Sequence, residues 1–398
     1  MPKTIFNIID ESQLYIEKAY TVLIAGLKGT DATATDGTPV LCKTSEELET
    51  NFGKPSTTVG KETRALVMAN ALINQGFYVI FVGFDSKPVA EKLTWSAWVG
   101  DRNSNDLRFA CTGDFAGIND MALITVCANR GGCIALLDCD EIITPKTGET
   151  IATTIQKAFS TKATDSDSDT YAAGFAPWGK FDKSVVTTDF KDMFFPGSFA
   201  YLLAFGNSVI INKNPDGFAV AGSQRGVIPG YVEPKYQFDA VDINVLQRKT
   251  PDATSLNDIS GVAVNPICYI RTLGNVVWGN RTMKANVADT KADSLLTWGS
   301  FLNITHIVCD ITDKAWLASK KYTFEQNNDI LWVNFKGEIT PTLDKLQSGS
   351  QVLAYRISKL TSKGKARLNA QIDITPIEAV EDFKINVNLT DSISVEVQ

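Results

Sequence analysis

The sequence predicts a mixed α/β protein: an α/β main domain, an α+β C-terminal domain, and extended β-arms at the N- and C-termini. Three observations carry this reading. Apolar runs at 20–30, 77–82 and 133–137 close on glycine or aspartate, as strands covered on both faces do. Amphipathic helical stripes separate those runs, which is the alternation of an α/β layer. Residues 383–389, FKINVNL, alternate apolar and polar without a break, the period of a strand with one buried face.

In chain order, residues 1–19 form an N-terminal arm with a short apolar set, Ile5, Phe6, Ile8 and Ile9. The strand at 20–30 and a short strand at 39–42 follow. Thr44-Ser45-Glu46-Glu47 has the spacing of a capping box and opens a helix carrying Leu48 and Phe52. Ala65, Leu66, Ala69, Leu72 and Ile73 fall on one helical stripe, which Gly76 stops. Residues 94–112 read as two short strands around a polar turn at 101–106, a small β insertion within 90–115. Ile118, Met121, Ala122, Thr125 and Val126 predict a helix over 116–130, ended by Arg130-Gly131-Gly132. After the strand at 133–137 a helix is expected at 149–160. The uncharged run 193–212 has the length of a membrane span. Pro196, Gly197, Gly206, Asn207 and Ser208 make it a buried loop, short helix and strand instead. The polar loop 161–170 carries Asp165, Asp167 and Asp169. Thr170 and Ala176 stand where a calcium loop needs Gly and Glu, so no metal is expected there.

The main domain is expected to span 20–254 and the C-terminal domain 255–380. In the latter, Phe301, Ile304, Val308, Ile311 and Ala315 recur at three and four, an amphipathic helix. Thr340-Pro341 reads as the start of a second helix, with Leu343 and Leu346 inward and Gly349 as its end. Strands follow at 351–357 and 367–374. The C-terminal arm, 381–398, presents Phe383, Ile385, Val387 and Leu389. After Thr390-Asp391-Ser392 the alternation resumes at Ile393, Val395 and Val397. Such a strand needs a sheet edge, either in its own domain or on a neighbouring chain. Two adhesive ends on one globule give an open polymer, because head-to-tail contacts that do not close extend indefinitely.

Composition narrows the chemistry. At roughly 150 residues per domain, 398 residues make two or three domains with ample core. The net charge of −7 argues against nucleic acid or an anionic membrane as the main partner. The single histidine, His306, cannot build a multi-His metal site or a histidine relay. Seven cysteines without a C-x-x-C pair read as buried thiols, in keeping with assembly in a reducing cytoplasm. Residues 1–20 lack an apolar h-region, so no secretion signal is expected.

Five segments in succession resemble the sheath proteins of contractile phage tails and injection systems. The first holds Ala25-Gly26, Pro39-Val40, Phe52-Gly53 and Gly76-Phe77-Tyr78-Val79. The second runs from Arg130-Gly131-Gly132-Cys133 to Leu137-Asp138, then Tyr171-Ala172-Ala173 and Pro177-Trp178. The third is Ala221-Gly222-Ser223-Gln224-Arg225-Gly226. The fourth is Leu256-Asn257, Asn265-Pro266-Ile267 and Val277-Trp278-Gly279-Asn280-Arg281-Thr282. The fifth is Ser300-Phe301-Leu302-Asn303-Ile304, Phe324-Glu325-Gln326-Asn327 and Leu331-Trp332. The chain departs from the pattern in a short mid-chain insertion and in Met283, where Leu is more familiar.

The resemblance implies a structural machine without cofactors. Such subunits stack as hexameric rings around an inner tube, between a baseplate and a tail terminator. Contraction drives the tube through a target envelope. The resemblance implies a virion tail or injection-system particle assembled in the bacterial host cytoplasm, with no direct nucleic-acid partner and no membrane insertion. It also implies that the arms cross to neighbouring subunits and add strands to the pair at 351–357 and 367–374, with joints such as Gly364 and Pro376 letting the globules turn. Residues 255–380 would be the tube-proximal sheath domain. Lys314, Lys320, Lys321, Lys336 and Lys345 are the candidates it offers for tube contact; the other reading is an ordinary solvated helix face.

Two rival classes remain at this stage. An arm-exchanging shell protein would show the same termini. An α/β hydrolase needs a site the sequence does not supply. Ala221-Gly222-Ser223-Gln224 lacks the G-x-S-x-G elbow, and no phosphate-binding glycine motif follows a strand. His306 reads as a packed or partly exposed helix residue, and Asp138 with Asp140 as strand-end caps.

Overall fold

The computed structural model describes residues 20–58, 62–100, 102, 105–249, 260–285, 297–361, 367–377 and 379. Both expected arms lie outside the described residues: Ile5, Phe6, Ile8 and Ile9 at one end, and Phe383, Ile385, Val387, Leu389, Ile393, Val395 and Val397 at the other. Gly364, Leu256 and Asn257 lie outside them too.

The elements in chain order are β1 (Thr21–Leu27), β2 (Pro39–Cys42), α1 (Ser45–Phe52), α2 (Arg64–Asn74), β3 (Tyr78–Phe84), α3 (Trp95–Val99), β4 (Leu107–Cys111), α4 (Asp120–Arg130), β5 (Ile134–Asp138), α5 (Ile151–Lys162), β6 (Ala172–Ala176) and β7 (Gly179–Phe181). Then come α6 (Gly197–Phe205), α7 (Gly222–Arg225), β8 (Tyr231–Pro234), α8 (Ala240–Gln247), β9 (Asn265–Ile270), β10 (Gly274–Val277), α9 (Leu302–Lys321), α10 (Asp329–Ser348), β11 (Val352–Leu360) and β12 (Asn369–Pro376).

Eight strands make one sheet in the order β10-β9-β6-β5-β4-β1-β3-β2. The inner pairs are parallel, and the edge strands β2 and β10 run antiparallel to their neighbours. Ile24 pairs with Phe81 on one side and Cys111 on the other. Successive residues of β1 enter opposite cores. Val22 and Ile24 join α2 and α6, whereas Leu23 and Ala25 join α4 and α5. That is why these strands read as unbroken apolar runs. All seven cysteines are buried and unpaired. A third core holds Ile307 and Ile311 of α9 with Ile339 and Leu343 of α10, Val352 and Ile357. Helix α9 therefore belongs to two cores, since its Leu302 and Cys309 are buried in the first.

Four local expectations are corrected. Residues 94–112 are not a β insertion: 95–99 is helical, and β4 is an inner strand of the large sheet. Trp95 and Trp98 favour strand by propensity, but as an i, i+3 pair they bury one helical face, their rings edge-on at 5.3 Å. After α6 the chain continues as a wide helical turn, Gly206–Ile211, in place of the expected strand. The Asn212 N–H closes it by donating to the Asn207 carbonyl at 3.1 Å. Thr340-Pro341 does not begin a helix. Asn328 caps α10, its Oδ1 accepting from the Leu331 N–H at 2.9 Å, and Pro341 lies inside. Gly337, the residue whose carbonyl the proline ring crowds, has open space around it. Finally, the large sheet continues past residue 254 through β9 and β10, so the break expected at 254/255 falls within the sheet-bearing unit.

Candidate assembly surface

The surface of interest is built from α9, α10 and the β11–β12 pair. β11 and β12 are antiparallel, with Tyr355 opposite Ile374 and Ile357 opposite Ile372. They form a sheet of two strands only, so each has one edge without a strand partner among the described residues. A two-stranded sheet is marginal by itself and needs more strands or a packed face. Among the described residues the packing is incomplete. Ile372 and Ile374 are only half-buried, and between β12 and α9 lies a groove of ≈ 730 Å³. Ile304, Val308, Ile311 and Ala315 form its α9 wall; Ala370, Ile372, Ile374 and Pro376 form the strand wall. Trp316 and the half-exposed Trp298 also line it. The helical stripe read from the sequence as core is thus real, but it is only partly covered. The strands at 351–357 and 367–374 stand where expected, as Val352–Leu360 and Asn369–Pro376.

One charged rim fixes α9 against the large sheet. Arg102 pairs with Asp313 at 2.5 Å, and its guanidinium stacks on Trp316 at 5.4 Å. Arg108, buried on β4, pairs with Asp310 and donates to the His306 carbonyl at 3.3 Å. These arginines anchor the middle of α9, from His306 to Trp316, on the main domain.

The five lysines do not form one patch. Lys314 is half-buried on α9 and its charge reaches Glu338 of α10. Lys321 pairs with the same Glu338, whose carboxyl is held below its usual range by that bond. Lys320 is exposed over the Trp316 ring at 5.5 Å. Lys336 is exposed beside Trp332, Val333, Gly337 and Pro341 in a shallow depression of ≈ 460 Å³. Lys345 is exposed nine residues further along the helix, about 13 Å away along its axis. The sequence did not reveal the apolar company these charges keep. Leu317, Phe324, Ile330 and Val333 are all more than half exposed around the α9–α10 turn.

The motif residues of the fourth and fifth sequence segments meet in space. Asn265 donates to the Gly174 and Arg281 carbonyls at 3.1 and 2.7 Å and accepts from the Arg281 N–H at 2.7 Å. Asn280 and Asn303 exchange two bonds, of 2.7 and 3.1 Å. The Arg281 guanidinium lies over Phe301 at 5.0 Å. Together they seat the start of α9 on the sheet.

The groups weighed for catalysis sit in structural roles. His306 is buried, its Nε2 3.0 Å from the Tyr201 hydroxyl and its ring against Phe109 and Phe205. Asp138 accepts from the Ser198 N–H and hydroxyl at 2.7 and 2.6 Å at the start of α6. Ser223 is exposed on the single turn of α7. Asp169 accepts from the Thr164 N–H at 2.9 Å, and Asp167 pairs with Lys284. No cluster of three or more His, Cys, Asp or Glu fit for a metal occurs among the described residues.

This architecture is the fold of the sheath proteins of contractile tails and injection systems. A chain of the anti-feeding prophage baseplate matches with a TM-score of 0.66 over 94% of this chain and 93% of its own, at 13% identity. The sheath complex of an extracellular contractile injection system, solved in the contracted state, gives 0.64 over 94% and 93%, at 15% identity. The sheath tail protein of Desulfitobacterium hafniense gives 0.55 over 94% and 100%, at 7% identity. No family model and no curated protein matches the sequence.

Proposed function

We propose that this chain is the structural subunit of a contractile sheath. Copies stack as hexameric rings around an inner tube, with baseplate and terminator proteins at the two ends. The arms link neighbours: residues 1–19 and 381–398 add as strands to the β11–β12 pair of adjacent subunits. The observation that carries this is a two-stranded sheet whose outer edges have no strand partner among the described residues, above an apolar groove, in a chain with the sheath fold. The alternating apolar residues Phe383, Ile385, Val387 and Leu389 supply what that groove lacks. Each backbone hydrogen bond nets about 0.5–1.5 kcal/mol, so a seven-residue strand with an apolar face holds a neighbour by several kcal/mol. The energy of contraction is then stored at assembly, as in other bistable packings, and no nucleotide is needed. The exposed lysines of α9 and α10, with Phe324 and Ile330 between them, face an acidic inner tube.

Negative-stain microscopy of the purified chain tests this. Long tubes or stacked rings are expected; closed icosahedral particles would identify a shell protein instead. Deleting residues 383–398 should leave a folded monomer that no longer polymerises. Normal tubes from that truncation would remove the arm from the scheme.

A further inference from the structure

We propose that the Asp216–Gly217 loop is a mechanical junction joining the roots of both terminal arms and the strand-accepting pair. The inference rests on the strand-linked sheath reading, because only there do the arms bear load.

Tyr20 is the residue into which segment 1–19 leads. It is buried, and its hydroxyl donates to Asp216 Oδ2 at 2.9 Å. The same oxygen lies 3.9 Å from the Arg108 guanidinium, which pairs with Asp310 of α9. One residue on, the Gly217 N–H donates to Gln351 Oε1 at 3.1 Å, and the Gly217 carbonyl accepts from Asn303 Nδ2 at 3.2 Å. Gln351 is buried at the foot of β11. Its own carbonyl accepts from the Ile377 N–H at 3.1 Å, where the chain leaves β12 toward the C-terminal arm. A single loop between α6 and α7 therefore touches the exit of one arm, the base of the hairpin and α9, and reaches the exit of the other arm through Gln351.

Two features separate this junction from ordinary packing. The first is its polarity. Arg108, Asp216, Asn303 and Gln351 are each less than a tenth exposed. Buried polar networks of this kind are frequently no more stabilising than apolar replacements, but their directional bonds fix one geometry. The second is closeness. A Cβ on Gly217 would stand 2.1 Å from Gln351 Oε1 and 2.7 Å from Ile307 Cγ1, so the position admits no side chain while Gln351 keeps its place.

Amide hydrogen exchange on the full chain tests the junction. Tyr20→Phe deletes one hydroxyl on the β1 side of the junction and leaves both arms intact. It should speed exchange at the Gly217 and Ile377 amides about fivefold, the low end of ordinary coupling between sites, with β5 and β6 unchanged. Gly217→Ala should do the reverse, loosening the amides of β1 next to Tyr20. If the first variant alters only amides beside residue 20, the junction is refuted. Should Gly217→Ala fail to fold, Gln351→Leu poses the same reverse question without a clash. Tube formation by the parent chain is scored separately. Parent tubes with uncoupled exchange sink the junction alone, whereas coupled exchange without tubes sinks the sheath reading and leaves the junction as a packing device.

Discussion

Asp138 shows how much one residue's role depends on its neighbours. Burial pushes its carboxyl from an ordinary 3.8 up to about 7, against the pull of the Ser198 bonds and Lys162, with Asp120 adding to the rise. Below pH 3.8 both folded and unfolded chains hold the proton. Between there and about 7 only the folded chain does, so the stability this group contributes is lost as the pH climbs through about 7. Asparagine mimics the protonated acid, accepting from the Ser198 N–H and donating to its hydroxyl. Asp138→Asn should therefore gain melting temperature on the parent as pH rises from about 4 to about 7, then stay level. A difference that does not change across that window would refute the assignment. The sequence placed Asp138 at a strand end as a cap. It could not supply Ser198, sixty positions away. His306 likewise was legible as a packed or partly exposed helix residue; its full burial and its Tyr201 partner were not.

At the scale of elements, period and punctuation located the sheet well. β1, β3 and β5 stand where apolar runs closing on glycine or aspartate put them, because two-sided burial writes itself into consecutive residues; the edge strand β2 also stands where expected, although mostly exposed. Helix ends were less legible. Pro341 looked like a beginning because proline favours first turns, yet Asn328 makes the cap thirteen residues earlier. The Trp95/Trp98 pair and the turn at 206–211 were misread because β-branched and aromatic residues lean toward strands until packing overrules them. The groove between α9 and β12 was half legible: its helical stripe was visible, its incomplete cover was not. Ile372→Asp tests that cover. The side chain is half-buried, so the monomer should lose only about 1 kcal/mol, while tube formation fails. A monomer that unfolds would mean the groove is already part of its own core.

For the whole molecule, composition set limits and the arms set direction. A net charge of −7 made an acidic polymer partner an unlikely match overall, so any contact with an acidic tube must come from a local basic surface. Under the proposed sheath role, the exposed Lys320 and Lys336 are the candidates for it. Lys320→Glu with Lys336→Glu should weaken co-sedimentation with an acidic tube about tenfold at low salt. The difference should vanish near 1 M salt, where screening acts within about 3 Å. A loss that persists at high salt would make the contact apolar, through Phe324 and Ile330. The order of the five sequence segments made the architecture legible end to end, although a boundary at 254/255 did not survive β9 and β10.

The sharing of α9 between two cores has one more implication. A helix of 20 residues is about 30 Å long, and along it Leu302 and Cys309 are buried in the first core while Ile307 and Ile311 pack with Val352 and Ile357 of the hairpin. The hairpin cannot swivel on the body without wrenching Leu302 and Cys309 from their sockets. If copies assemble as proposed, body and hairpin are then expected to tip together as one piece, like a tile on a pinned corner.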